Sequence, residues 1–191
     1  MTEPLLASSA RVKLLCAPAG SGKSALLTEC LLRAPEHCRV YWLPLSGTCL
    51  SVVDFQQRLS QALGFAAADE PVLLESLSRL QTPTWVFLDD YCRVPNPELD
   101  RLLDRLLAVR NPLLNWWLGS RRRPSCNWPR LLLDDELYEC EARALAFNES
   151  DIEQLLVHVA PEQAAITARK IIQRSGGWCA GTRIALLDGC Q

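Results

Sequence analysis

Hydrophobic positions along the chain change period repeatedly. Short apolar runs occupy Val12–Cys16 and residues 40–45, 85–88 and 115–118. Each is too short for a helix face and is bounded by turn-forming residues, so each reads as a buried strand. Residues 137–140 read as a fifth, shorter strand. Segments of helical spacing lie between these runs. Residues 24–32 have helical composition, residues 53–63 are apolar at 55, 59, 62 and 63, and residues 73–80 carry Leu at 73, 74, 77 and 80. Leu99, Leu102, Leu103, Leu106 and Leu107 form one stripe. Asn96 is placed to cap that helix and Pro97 suits its first turn, where the missing N–H would have had no helical partner. Asn111-Pro112 ends it.

Strands alternating with helices predict an α/β domain with a parallel sheet of about five strands flanked by helices. From Asn148 onward the pattern is helical. Asn148 or Ser150 is placed to cap a helix running to Val159, and Pro161 to open another that stops at Gly176-Gly177. We therefore expect residues 1–145 to form the α/β core and 146–191 the start of a small helical subdomain.

Composition narrows the class. The chain has 191 residues, enough for one well-buried domain and a small appendage. A net charge of −2 gives no global case for wrapping a nucleic acid. No apolar run approaches the roughly 18 residues that span a bilayer, and no basic segment precedes an apolar stretch at the N-terminus. Nine cysteines, at 16, 30, 38, 49, 92, 126, 140, 179 and 190, show no two-residue spacing. Their odd number and irregular placement exclude a paired-thiolate zinc pattern and a secreted disulfide framework. They are expected to be reduced, mostly buried thiols of a cytoplasmic protein. His37 and His158 stand isolated, with no Cys–His pairing in view.

The chemistry concentrates after the first strand. Ala17-Pro18-Ala19-Gly20-Ser21-Gly22-Lys23-Ser24 joins an apolar strand to a helix, with Ala25 following. Glycines let such a loop turn tightly, so that its N–H groups converge on phosphate oxygens at a helix N-terminus. Lys23 is placed to reach β- and γ-phosphates and Ser24 to ligate Mg²⁺. The strict pattern begins with Gly, where this chain has Ala17. Downstream, the strand at 85–88 ends in Asp89-Asp90. A carboxylate there can hold Mg²⁺ through water, a role assigned to Asp89, and Asp90 is assigned to orient the attacking water. Ser120-Arg121-Arg122-Arg123 follows the fourth strand. In a parallel sheet ligands sit at the carboxyl ends of strands, so Arg121 is assigned to read the γ-phosphate. Arg122 and Arg123 are expected to face solvent. No aromatics interleave the arginines as a stacking surface for nucleic acid would require. Trp116 and Trp117 are expected in the core.

Together these segments resemble the nucleotide-binding region of MalT-type STAND ATPases, transcriptional regulators that end in a LuxR-type helix-turn-helix. The resemblance rests on the run 14–27, on Val40-Tyr-Trp-Leu-Pro-Leu45, Leu88-Asp-Asp-Tyr91 and Ser120-Arg121, on residues 145–156, and on Gly177-Trp-Cys-Ala-Gly181. The last is similar to a Gly-Trp-Pro-Ala-Gly motif whose proline contacts adenine in related ATPases. Cys179 replaces that proline here. The resemblance implies ATP and ADP with Mg²⁺, and a base contact at Gly177 and Cys179. It further implies slow hydrolysis as a switch, self-association on ATP binding, and DNA contact only through a downstream domain of a longer chain. A small-molecule P-loop kinase, with the arginines on a lid, and a non-catalytic module with a vestigial site are the competing readings.

Overall fold

The computed structural model of the chain describes residues 2–45, 50–65, 69–91, 93–157 and 164–188. Five strands, β1 (Val12–Cys16), β2 (Arg39–Pro44), β3 (Thr84–Tyr91), β4 (Leu114–Ser120) and β5 (Leu137–Glu141), form one sheet in the order β2-β3-β4-β1-β5. Every pairing is parallel. The carboxyl ends of all five strands therefore lie at one edge, with β4 between β1 and β3.

The pleat sorts the side chains onto two faces. Val12, Leu14, Val86, Leu88, Leu114, Trp116 and Leu118 belong to one buried cluster, with residues of α3 (Val52–Leu63), α4 (Glu70–Ser78), α5 (Pro97–Ala108) and α6 (Trp128–Leu133). Leu15, Phe87 and Trp117 belong to the other, with α1 (Thr2–Ala7) and α2 (Lys23–Leu32). Apolar residues on both faces explain why the strand segments read as continuous hydrophobic runs. Trp116 and Trp117 are fully buried on opposite sides.

Local signals account for several boundaries. The Asn96 side chain accepts the Leu99 N–H at the start of α5, and Pro97 is its first residue. Ser51 caps α3 in the same way through Asp54 N. After α7 (Ala142–Leu145) come α8 (Glu149–Leu156), α9 (Ala164–Ser175) and α10 (Cys179–Asp188). Asn148, rather than Ser150, caps α8, and Asp151 returns the bond to complete a capping box. Ile152, Leu156, Ala164, Ala168, Ile171 and Ala185 form a third cluster among these three helices.

Some expectations are corrected. The third strand continues through both aspartates to Tyr91 because its pairing with β4 resumes, after an irregularity, at Tyr91 and Ser120. Helix α4 stops at Ser78, two residues short of Leu80. Arg122 is half-buried rather than solvent-facing, and Arg123, though exposed, pairs with Glu139 at 2.8 Å and lies over the Trp128 ring. Of the six described cysteines only Cys30 and Cys140 are buried; Cys16, Cys38, Cys126 and Cys179 are half-buried. Val159 and Pro161, expected at helix ends, lie outside the described residues. Among the described residues no helix is long and apolar enough to cross a membrane.

Candidate functional site

The loop between β1 and α2 lies at the carboxyl edge of the sheet. Gly22 caps α2 with a left-handed backbone (φ 85°), leaving no side chain at the helix mouth. Residues 19–25 line a cavity of about 450 Å³ together with Asp89, Asp90, Arg93 and Arg121. The structure thus gathers most of the site residues expected from the sequence. Ala17 is buried beneath the loop, and Ala17, Pro18, Gly177 and Cys179 are not in the lining. Arg93 was not legible as a site residue. It stands alone in sequence, and only the turn after β3 brings it to the cavity.

Ser24, the second residue of α2, donates its hydroxyl to Asp89 Oδ1 at 2.9 Å. That contact crosses β4, and Gly119 on β4 makes room for it. A Cβ at Gly119 would stand 3.0 Å from Asp89 Oδ1 and 2.9 Å from Leu27 Cδ1. Leu27 is fully buried and has little space to yield. Gly119→Ala is therefore expected to push the carboxylate off Ser24 and to lower stability by about 1–2 kcal/mol. Urea denaturation with a crystal structure of the variant checks this; unchanged stability and an intact Ser24–Asp89 contact would refute it.

Lys23 donates to Ala17 O at 2.6 Å and to Pro18 O at 2.8 Å. Burial lowers its pKa, Arg121 adds repulsion, and Asp90 and Asp89 oppose both. Asp90 has a positive φ of 58°, which turns its side chain out of the strand alternation. Its Oδ1 accepts from Arg121 Nε at 3.0 Å and its Oδ2 from Arg93 Nε at 2.5 Å. Burial by itself would raise this carboxyl; hydrogen bonds from Arg93 and Arg121 outweigh that and hold it below the usual value. The cavity therefore carries three cationic side chains against two carboxylates, a net positive charge suited to an anion.

The start of α10 is seated on the same loop from outside. Trp178 Nε1 donates to Ala19 O at 3.0 Å, Ala180 N to Gly20 O at 3.0 Å, and Cys179 Sγ to Ser21 O at 3.4 Å. Three successive residues thus bond three successive loop carbonyls. Directing these carbonyls outward leaves the opposite side of the same peptides for the cavity. Burial raises the Cys179 thiol pKa, so it stays protonated and serves as a donor. Gly177 sits behind this contact, against Phe147.

No protein-family profile and no curated protein matches the chain. Among solved structures it is similar to a Walker-type ATPase of Pyrococcus abyssi, at 12% identity over 98% of this chain and 67% of that one, with a TM-score of 0.58. It is also similar to Cdc6p from Pyrobaculum aerophilum, at 15% identity over 98% of this chain and 60% of that one, TM-score 0.52. A chain in the structure of Drosophila ORC bound to DNA matches at 12% identity over 73% and 84% of the two chains, TM-score 0.50. At such identities the likeness carries the fold: this chain has the α/β fold of P-loop ATPases.

Proposed function

We propose that the chain binds ATP and ADP with Mg²⁺ at the cavity and works as a slow hydrolytic switch. In that reading it is the nucleotide-binding portion of a MalT-type STAND regulator with a downstream LuxR-type DNA-binding domain. The observation that carries the nucleotide reading is the 2.9 Å contact of Ser24 and Asp89 beside Lys23. A hydroxyl at a helix start and a carboxylate from a strand two places away meet at the mouth of a Gly-rich loop.

These hard oxygen donors fit Mg²⁺, which is commonly held by one or two carboxylates and completed by phosphate oxygens and water. Among the described residues no group of three His, Cys, Asp or Glu side chains forms a metal cage. Mg²⁺, when bound, neutralises charge on the β- and γ-phosphates. Lys23 would exchange its two loop carbonyls for phosphate oxygens. Arg121 would read the γ-phosphate. Asp90 would orient water, and its engagement by two arginines supports a slow reaction, because a hydrogen-bonded, stabilised carboxylate is a weak base. Of the loop residues 17–25, those at 19–25 would supply the N–H cradle; Pro18 has no N–H and Ala17 N donates to Ser120 O at 3.1 Å, so these two would act by shaping the loop. Gly177 and Cys179 act by carrying α10 onto the loop. Residues 1–145 are the NTPase core and 146–191 the helical subdomain, whose seating is the route by which nucleotide state would reach the rest of a regulator. Self-association on ATP binding and a cytoplasmic location belong to the same proposal.

Calorimetric titration with ADP and with a non-hydrolysable ATP analogue, with and without Mg²⁺, tests it. Saturable binding that Lys23→Ala weakens by roughly ten- to a hundredfold is the expected result. No binding of either nucleotide by the wild type would remove the reading.

A further inference from the structure

Arg93 is the cavity residue with no role so far. It lies three residues after Asp90, on the turn leaving β3, and its side chain is 42% exposed. It reaches the cavity beside Lys23 and Arg121. Its Nε and one terminal nitrogen both meet a single oxygen, Asp90 Oδ2, at 2.5 Å. Arg121 approaches the other oxygen, with its own terminal nitrogen 3.5 Å from Oδ2. One carboxylate therefore anchors two guanidinium groups that face the same space. A guanidinium has five N–H donors, and Asp90 engages two on each. The remaining donors of both arginines are available to a further acceptor in the cavity. A terminal phosphate, with several unshared oxygens and more charge than a carboxylate, matches a pair of forks better than a diphosphate that ends short of them.

We propose that Arg93 is a second γ-phosphate-reading cation, which with Arg121 makes the site discriminate nucleoside triphosphate from diphosphate, while Asp90 holds both arginines in position. This rests on the nucleotide reading above. Lys23 lies at the base of the loop and serves both ligands; Arg93 serves the triphosphate alone.

The test is titration of the 191-residue chain with MgADP and with a non-hydrolysable Mg-ATP analogue, for wild type, Arg93→Gln and Arg93→Lys. Arg93→Gln is expected to weaken the analogue about tenfold while leaving ADP within about twofold, and Arg93→Lys to recover part of the loss. Equal weakening of both nucleotides, or of neither, overturns the proposal. A purely structural role would lower stability without changing the ratio of the two affinities.

A second arm tests the anchor. In an Asp90→Asn background, which weakens the carboxylate that fixes Arg93, Arg93→Gln should cost the analogue less than it does in the wild type. A selective loss as large as in the wild type would mean that Asp90 does not hold Arg93 in position, and that half of the proposal would be wrong. Wild-type protein that binds neither nucleotide would instead fail the nucleotide reading itself, an outcome distinct from a wild type that binds both and an Arg93→Gln variant that behaves identically.

Discussion

Replacing Gly177 by Ala is expected to lower stability by about 3 kcal/mol or more, while the same change at the adjacent Gly176 lowers it by only about 1 kcal/mol. Both glycines follow α9 with positive φ, 59° at Gly176 and 78° at Gly177. Both changes therefore carry the penalty of a Cβ in left-handed backbone. The surroundings differ. A Cβ at Gly176 would meet nothing within 4 Å. One at Gly177 would stand 2.2 Å from Phe147 O and 3.2 Å from Phe147 N, both backbone atoms that cannot rotate away. Phe147 N is itself bonded to Gly177 O at 2.9 Å, so the two backbones are drawn together where the side chain would have to fit. Separating them breaks that bond and displaces Trp178, Cys179 and Ala180 from the loop carbonyls that they hold. Urea denaturation of both variants is the measurement, and equal losses would show that the close approach is not maintained in solution. If the titration above shows binding, Gly177→Ala should also weaken it, since α10 can no longer fix the loop.

Gly177 also marks what the sequence could and could not disclose. The strand and helix assignments followed from local pattern, because buried strands with two apolar faces and a leucine stripe of period 3.6 are local properties. Residues 19–24 and the Asp89-Asp90 pair were legible for a similar reason: a loop that cradles phosphate must be contiguous, and the acids sit at the end of a recognisable strand. Arg93 was hidden because its placement depends on the turn of Asp90 and on the pairing of β3 with β4. Gly119 was hidden because the space it leaves is defined by Asp89 and Leu27, far away in sequence. For the motif at 177–181 the resemblance implies a base contact, and the structure adds what the motif touches within the chain. In the fold its glycine is fixed by the approach of Phe147, and its cysteine faces the outer side of the loop, a tertiary arrangement no spacing rule contains. Helices α1, α6 and α7 went unread because they have only six, six and four residues, too few turns to establish a period.

Replacing Lys13 by Met should stabilise the protein at pH 7 by about 1–3 kcal/mol, and the gain should shrink as pH rises. Lys13 lies on β1 and is only 3% exposed. It belongs to a row that runs across all five strands in register: Trp42, Phe87, Trp117, Lys13, Tyr138. Phe87 stacks on Trp42 at 5.7 Å and on Trp117 at 5.2 Å, and the Lys13 ammonium lies 4.9 Å from the Trp117 ring centroid. Asn115 Oδ1 accepts from it at 3.1 Å. Among the described residues it forms no ion pair within 4 Å, and the buried Cys30 thiol, whose pKa burial pushes up to about 11, is neutral at pH 7. Burial lowers the Lys13 pKa from 10.5 to about 8, against a smaller opposing effect of Cys30. Below pH 8 the amine is charged in both folded and unfolded chains, and the full cost of burying it weighs on the fold. Between pH 8 and 10.5 the unfolded chain holds the proton and the folded chain has released it, so the cost is progressively relieved and stability rises with pH. At about 1.4 kcal/mol per unit the relief amounts to about 3 kcal/mol. Met keeps a comparable stem and packs against Trp117 without the charge. Cys30 titrates with the opposite sign near the top of this window, so the informative quantity is the difference between wild type and Lys13→Met at each pH. Chemical denaturation at pH 7, 8.5 and 10 should show that difference narrowing toward zero. A difference that stays constant with pH would mean that Lys13 keeps its proton in the folded protein, with its cation–π contact and the Asn115 hydrogen bond sufficient to offset burial.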